Sequence, residues 1–245
     1  MVGAGRYRPA LVRRVTATAL AVAALAAGCG GGGDGAADER AGQARQVGAD
    51  AGLSEEVQDV LALAAGAVGA TYTVVYVTPA DGERPERRVV VAQRPPDRRI
   101  DVVEGAVTDA TILLDGTSYQ CRNAEAQWNC TTLVGDVPAV GAFDPASIRT
   151  AVEALAASAD AFDFAVEHRT MLGVDATCLV TTLRPGAADD PSLGAAGTLC
   201  LSPEGAVLLA EGPAERLEAV EYRAEVDDAA LVLPAQPIAA GTPGG

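Results

Sequence analysis

Between Thr71 and Leu133 apolar and polar residues alternate with a period of two, cut at short intervals by turn signals, and this confines the fold to antiparallel sheet. Tyr72, Val74 and Tyr76 face one way, while Thr71, Thr73 and Val75 face the other. Asp81-Gly82 turns the chain into a return strand over Arg88 to Gln93. Pro95-Pro96 breaks the ladder, and Arg98 to Val103 resumes it with Ile100 and Val102 on one face. Ala110 to Leu114 leads into the hairpin turn Asp115-Gly116, with Thr117 to Arg122 as partner and Trp128 to Leu133 completing another hairpin. Turns this short cannot hold the crossover that parallel strands need, so the strands form a meander.

Two helices flank that run. Ser54 is a suitable N-cap for a helix carrying Glu55 and Glu56 in its first turn, with Val57, Val60, Leu61 and Leu63 at helical spacing and Gly69 at its end. A second helix begins near Asp144-Pro145, with Ile148, Val152 and Leu155 as its stripe. Strands then return. Phe162, Phe164, Val166 and His168 share a face, then come Thr177 to Thr182, Thr198 to Leu201, a turn at Ser202-Pro203-Glu204-Gly205, and Ala206 to Ala210. Leu217 to Val226 reads as a strand with Val220, Tyr222 and Ala224 on one face. The sum is an α+β domain of about ten strands and two helices without internal repeat.

The N-terminus is an address. Arg6, Arg8, Arg13 and Arg14 precede an apolar run from Val15 to Ala27, too short for the roughly 20 residues a spanning helix takes. Leu25-Ala26-Ala27-Gly28-Cys29 then has the form of a bacterial lipobox, so residues 1–28 are expected to be a cleaved lipoprotein signal peptide and Cys29 the lipidated residue. Residues 29–51, opening with Gly30 to Gly33 and Asp34-Gly35-Ala36-Ala37-Asp38-Glu39, read as a flexible tether. Residues 52–238 form the domain and 239–245 a disordered tail. The expected location is the extracytoplasmic face of the cell membrane, held by the lipid.

Charge agrees with a tethered domain. All 18 basic residues are Arg, against 33 acidic ones, so the net charge of -15 becomes 14 − 33 = -19 once residues 1–28 are removed. A pI near 4.4 argues against a nucleic-acid partner and against a domain lying flat on an anionic membrane.

Cysteine usage points to the same oxidising compartment. With Cys29 set aside, Cys121, Cys130, Cys178 and Cys200 remain, and three connectivities are open. The local pairs Cys121–Cys130 and Cys178–Cys200 are preferred, because a turn-rich stretch separates each. Without a CxxC, and with one His in the chain, a zinc site is not expected.

No GxSxG, Walker A, GxGxxG or HExxH motif occurs, and no cofactor is expected. His168 stands in a strand without a serine elbow and reads as partly buried on the apolar face. Asp189-Asp190 and Asp227-Asp228 read as solvated loop charges, since adjacent carboxylates in an extended chain point to opposite sides. An enzyme is not expected.

The ordered set Thr71-Tyr72-Thr73-Val74-Val75-Tyr76, Gln93-Arg94-Pro95-Pro96-Asp97-Arg98-Arg99-Ile100, Ile112-Leu113-Leu114-Asp115-Gly116 and the aromatic strand near Tyr119 resembles the LolA/LolB family of lipoprotein carriers. That family's relatives include RseB and the actinobacterial LprG/LppX lipoproteins. Cys200-Leu201-Ser202-Pro203-Glu204-Gly205, Leu217 to Tyr222 and Leu231-Val232-Leu233-Pro234 are similar to its closing strands, so the resemblance spans roughly residues 50–238. It implies a strongly curved antiparallel half-barrel with helices covering the concave face. It also implies a membrane-anchored carrier or chaperone that binds a lipid or an acylated lipoprotein in the half-barrel cavity. The alternatives are an RseB-like sensor of a membrane anti-sigma regulator and a structural envelope lipoprotein without ligand. The paired cysteines depart from LolA, and the anchor points to an LprG-like or LolB-like member. Candidate cavity residues are Tyr72, Val74, Tyr76, Ile100, Val102, Tyr119, Trp128, Phe164, Val166 and Tyr222.

Overall fold

In the computed structural model the alternating run becomes six consecutive antiparallel strands: β1 (Tyr72–Thr78), β2 (Arg87–Arg94), β3 (Asp97–Glu104), β4 (Val107–Leu114), β5 (Thr117–Ala124) and β6 (Gln127–Thr132). The structure describes residues 34–80, 82, 85–133, 145–187, 196–212 and 216–238, without the side chains of 34 and 145–149. The chain divides after Gly31 into two units, and the described residues all belong to the second, Gly32–Gly245. The signal peptide, Cys29, the side chain of Ile148, Asp189-Asp190 and the tail 239–245 lie outside what is described.

The later strands are β7 (Phe162–Met171), β8 (Val174–Leu183), β9 (Gly197–Leu201), β10 (Val207–Glu211), β11 (Arg216–Arg223) and the short β12 (Pro237–Ile238). All twelve join in one curved, open sheet of order β12-β6-β5-β4-β3-β2-β1-β11-β10-β9-β8-β7. β1 against β11 couples the two halves, and the parallel pair β12–β6 closes one edge. Eleven of the twelve correspond to strands named from the sequence, where about ten were expected, and the addition is β12. Asp115 and Gly116 both have positive φ, 48° and 75°, which is what a two-residue hairpin with the sheet's own twist demands.

Three α-helices are present among the described residues where two were expected: α1 (Asp34–Asp50), α2 (Glu55–Gly66) and α3 (Pro145–Ala157). α2 starts as its sequence predicts, with Ser54 accepting from Val57 N at 3.5 Å. The addition is α1, which occupies most of the stretch read as a flexible tether. It packs antiparallel on α2 through small residues rather than large apolar ones. Ala37 meets Gly69 so closely that a Cβ on Gly69 would stand 2.3 Å from the Ala37 Cβ. Ala41 meets Gly66, Ala44 is buried, and Gly48 lies against Gln58 and Leu61.

Burial separates into three clusters. Val57, Val60, Leu61 and Ala64 of α2, with Ala44 of α1 and Val152 of α3, pack on Leu179 and Leu201 and on half-buried Phe164, Val166, Leu199 and Val207. Val74, Tyr76, Val89, Val91 and Ile100 pack with Ala176, Cys178, Cys200, Leu208, Leu209 and Ala219. The third cluster is Ala110, Ile112, Cys121 and Cys130, covered by Leu233 and Ala235 of the C-terminal segment.

Register explains why β4–β6 stand apart. Val74, Val91 and Ile100 lie in one cross-strand row, and that row continues into Thr111, Gln120 and Thr131. The adjacent row on the other face runs Asp101, Ala110, Cys121, Cys130. The apolar face therefore changes sides between β3 and β4.

A second parity change occurs in β11. Val75 pairs with Glu221 but Tyr76 with Ala219, so Val220 is the extra residue of a β-bulge. Ala219 is buried, Val220 is 46% exposed and Tyr222 is half-buried. The expected face of Val220, Tyr222 and Ala224 is corrected accordingly, because a bulge breaks simple period-two counting. His168 is corrected too: it is exposed, since the side of the edge strand β7 that it occupies carries no covering element there.

Candidate functional site

The ten candidate cavity residues divide among the three clusters. Tyr72, Val74, Tyr76, Ile100, Val102 and Tyr222 belong with the β1–β3 cluster, and Phe164 and Val166 with the helix-covered one. Tyr119 and Trp128 belong to the β4–β6 cluster and sit on the face opposite Ile100, because Tyr119 pairs with Ile112 while Ile100 pairs with Thr111. Val74, Tyr76 and Ile100 are each 1% exposed and act as core.

The polar handles within this set are tyrosine hydroxyls. Tyr76 Oη donates to Val207 O at 2.6 Å, tying β1 to β10. Tyr222 Oη donates to Glu204, whose carboxylate also accepts from Ser202 Oγ at 3.1 Å. Burial pushes Tyr72 up to about 12 against the opposing pull of the Arg98 guanidinium. Burial, then the nearby Tyr72, pushes Tyr76 well above its ordinary value. Tyr222 rises to about 12 through burial first and the Glu204 hydrogen bond second. Hydroxyls held this firmly in the protonated form are hydrogen-bond donors, not bases.

Two recesses open on the helix side. One of about 420 Å³ lies between α1, α2 and the β9–β10 turn, with the Arg45–Asp59 ion pair and Glu204 in its wall. The other, about 260 Å³, is bounded by Ala36, Ala37 and Arg40 of α1 and by Gln93, Pro95, Pro96 and Arg98. Gln93 Nε2 donates to Ala67 O and Ala70 O, at 2.6 and 3.0 Å, and so fixes the wall of this recess. None of the ten candidate residues lines either recess.

The cysteines pair locally, Cys121 with Cys130 and Cys178 with Cys200. Each bridge joins directly opposed residues of adjacent strands, with Cα separations of 4.0 and 3.9 Å. Among the described residues no three of His, Cys, Asp and Glu gather to hold a metal ion.

The constellation that sequence reasoning missed surrounds Arg99. Its Nε donates to Asp101 Oδ1 at 2.8 Å, and its guanidinium lies 5.6 Å from the Trp128 ring centroid. Its Nη1 donates to Ala230 O at 3.4 Å and Val232 O at 3.3 Å, holding the C-terminal segment over the β4–β6 cluster. The Arg99-x-Asp101 spacing on one strand face was the available signal.

The chain is similar in structure to MucB. Its match to the MucB crystal structure has 17% sequence identity and a TM-score of 0.46, covering 74% of this chain and 64% of that one. This chain thus matches under two thirds of the MucB chain. No protein-family model matches the sequence, and no curated protein does.

Proposed function

We propose that this chain is a lipid-anchored, extracytoplasmic lipoprotein, an LprG-like or LolB-like member of the LolA kind, that binds a lipid or an acylated lipoprotein and is not an enzyme. The observation that carries the reading is the combination of a leader ending in Gly28-Cys29 with a domain stapled by two buried cross-strand disulfides. Bridges of this kind persist where thiols are oxidised, outside the cytoplasm. The ligand reading draws support from the helix layer. α2 meets the sheet mainly through the aliphatic side chains Val57, Val60, Leu61 and Ala64, with Phe164 the one aromatic ring among them, and such side chains part for an acyl chain at lower cost than interlocked aromatic rings.

Native mass spectrometry of the purified mature chain, with lipid extraction alongside, tests this. A stoichiometric added mass that extracts as lipid is the expected result. A clean apo mass, unchanged by added acyl lipids, rejects the carrier reading. The anchor is tested apart from the ligand: Cys29→Ser should abolish incorporation of labelled palmitate and release the protein from the membrane.

A second reading is favoured by the division of the ten candidates over both faces of the sheet. It is an RseB-like sensor that binds a membrane anti-sigma regulator. Recovery of one membrane protein and no lipid in a pull-down supports it.

A further inference from the structure

We propose that the recess between the first half of α1 and the β2–β3 turn is a binding site for a phosphate group, with Arg40 and Arg98 supplying the positive charge. The group is either the free ion or the head of an acidic lipid, and binding of the free ion does not rest on the carrier reading.

The sheet builds one wall. Tyr72, Gln93, Arg98 and Leu113 stand directly opposite one another in successive strands, so their side chains share a face. Gln93, Arg98 and Leu113 of that row line the recess together with Pro95 and Pro96, and Ala36, Ala37 and Arg40 of α1 close it from the other side. Two contacts fix this frame before any ligand arrives. Ala37 is seated against Gly69, and Gln93 spends its amide hydrogens on Ala67 O and Ala70 O. Gln93 therefore positions the wall, and the charge comes from the arginines.

Arg40 is the informative residue. With 33 acidic residues against 18 Arg, carboxylates are plentiful, and arginines along the sheet take them: Arg87 pairs with Glu104, Arg88 with Glu221, Arg94 with Asp228. Arg40 and Arg223 are the two described arginines with no hydrogen bond, ion pair or ring contact among the described residues. The residues three and four away from Arg40 along α1 are Ala36, Ala37, Gln43 and Ala44, so no carboxylate shares its side of the helix. The first turn of α1 borders the same recess, and its partial positive charge adds to that of the arginines.

Asp97 is the one acid of the lining among the described residues, and its Oδ1 accepts from Asp115 N at 2.9 Å. Two positive side chains thus face one negative in a chain of net charge -15. The larger recess has the opposite balance, Arg45 against Asp59 and Glu204, and its Arg45 is tied to Asp59 at 2.7 Å. An anion is drawn to the smaller one. At about 260 Å³ this recess falls below the roughly 300–1,000 Å³ of sites that enclose a drug-sized molecule, so it takes a head group and not a whole lipid. Guanidinium groups on separate walls can engage different oxygens of a tetrahedral phosphate, whereas a single fork already satisfies a planar carboxylate.

Isothermal titration calorimetry of the purified mature chain at low salt tests the site. One arm uses inorganic phosphate and the other dihexanoyl phosphatidic acid below its micelle concentration. Saturable binding that weakens as salt is raised is the expected result. Arg40→Ala should weaken it about tenfold. The same substitution should leave the urea midpoint in place, since the side chain has no polar partner to lose. Arg223→Ala, which removes the other unpaired arginine outside the recess, should leave binding unchanged. Lipid held about tenfold more tightly than the ion supports the site as a head-group pocket, and equal affinity supports it as a site for the free ion. Failure to saturate in both arms, equal losses from Arg40→Ala and Arg223→Ala, or lipid binding that Arg40→Ala does not alter overturns the proposal.

Discussion

Two disulfides of the same design sit in two different surroundings. Cys178–Cys200 joins β8 to β9 where the sheet is buried on both faces, since Cys178 and Cys200 lie in one cluster while their neighbours Leu179 and Leu201 lie in the helix-covered one. Cys121–Cys130 joins β5 to β6 where one face is buried and the other carries Thr111, Gln120 and Thr131. Its cover is a single strand of irregular chain. Both bridges are inaccessible to water on average, so the difference lies in what must open to expose them. The first needs a helix layer or the core to part, and the second only the C-terminal segment. Stability in this molecule should therefore be graded along the sheet.

The comparison can be broken most forcefully in the doubly covered half. Leu201→Ala should destabilise the protein by about 3–4 kcal/mol, because a fully buried side chain is removed between helices and sheet. Urea denaturation measures it, and a loss below about 1 kcal/mol would show that the helix layer is loosely packed.

Deleting each bridge as a Cys-to-Ala pair should cost roughly 2–4 kcal/mol, more for Cys178–Cys200, which closes 22 residues, than for Cys121–Cys130, which closes 9. Rates should run the other way in native protein. Under mild thiol reductant, alkylation mapping should find Cys121 and Cys130 modified first. The opposite order would mean that the covering segment is as secure as the helix layer.

Arg99→Ala sharpens the contrast within the thinly covered half. It removes the partner of an Asp101 carboxylate whose side chain is 20% exposed and also loses the cation–π contact, at a cost of about 2 kcal/mol. Trp128 emission should shift to the red as the C-terminal segment lifts.

High pH probes the doubly covered half and the β1–β11 junction. Tyr72 and Tyr222 are held near 12 and Tyr76 well above its usual value, so each ionises more readily unfolded than folded. Their contribution is complete below pH 10 and is lost progressively as pH rises through 10 towards 12. Absorbance titration should show these hydroxyls ionising together with unfolding. Free titration near pH 10 in folded protein would refute their burial.

The smallest effect is expected at the surface. Arg45→Ala breaks an ion pair whose side chains are 54% and 57% exposed and should cost less than about 1 kcal/mol.

Some of this architecture could be read from residues alone. Asp115-Gly116 announces its hairpin because few other pairs take two positive φ values in succession. Ser54 announces α2, and the turn-rich intervals announce both cysteine pairs. Helix α1 escaped because its packing stripe of Ala37, Ala41, Ala44 and Gly48 has helical spacing but almost no apolar contrast. The candidate cavity failed to converge for a different reason. Tyr119 and Trp128 look like continuations of the Tyr72 and Ile100 face. Which side of a sheet a residue takes depends on the register set by each hairpin, and here the burial changes sides between β3 and β4. Val220 was misplaced by one bulged residue, which composition does not mark.

Helix α1 also changes where this domain can be cut. Ala37 closes on Gly69, Ala41 on Gly66 and Gly48 on Gln58 and Leu61, so a chain begun after Asp50 would bare the surface of α2 that those residues cover. The stretch that composition marks as a spacer is a wall of the folded body, and a boundary drawn beyond it would leave that body open on one side.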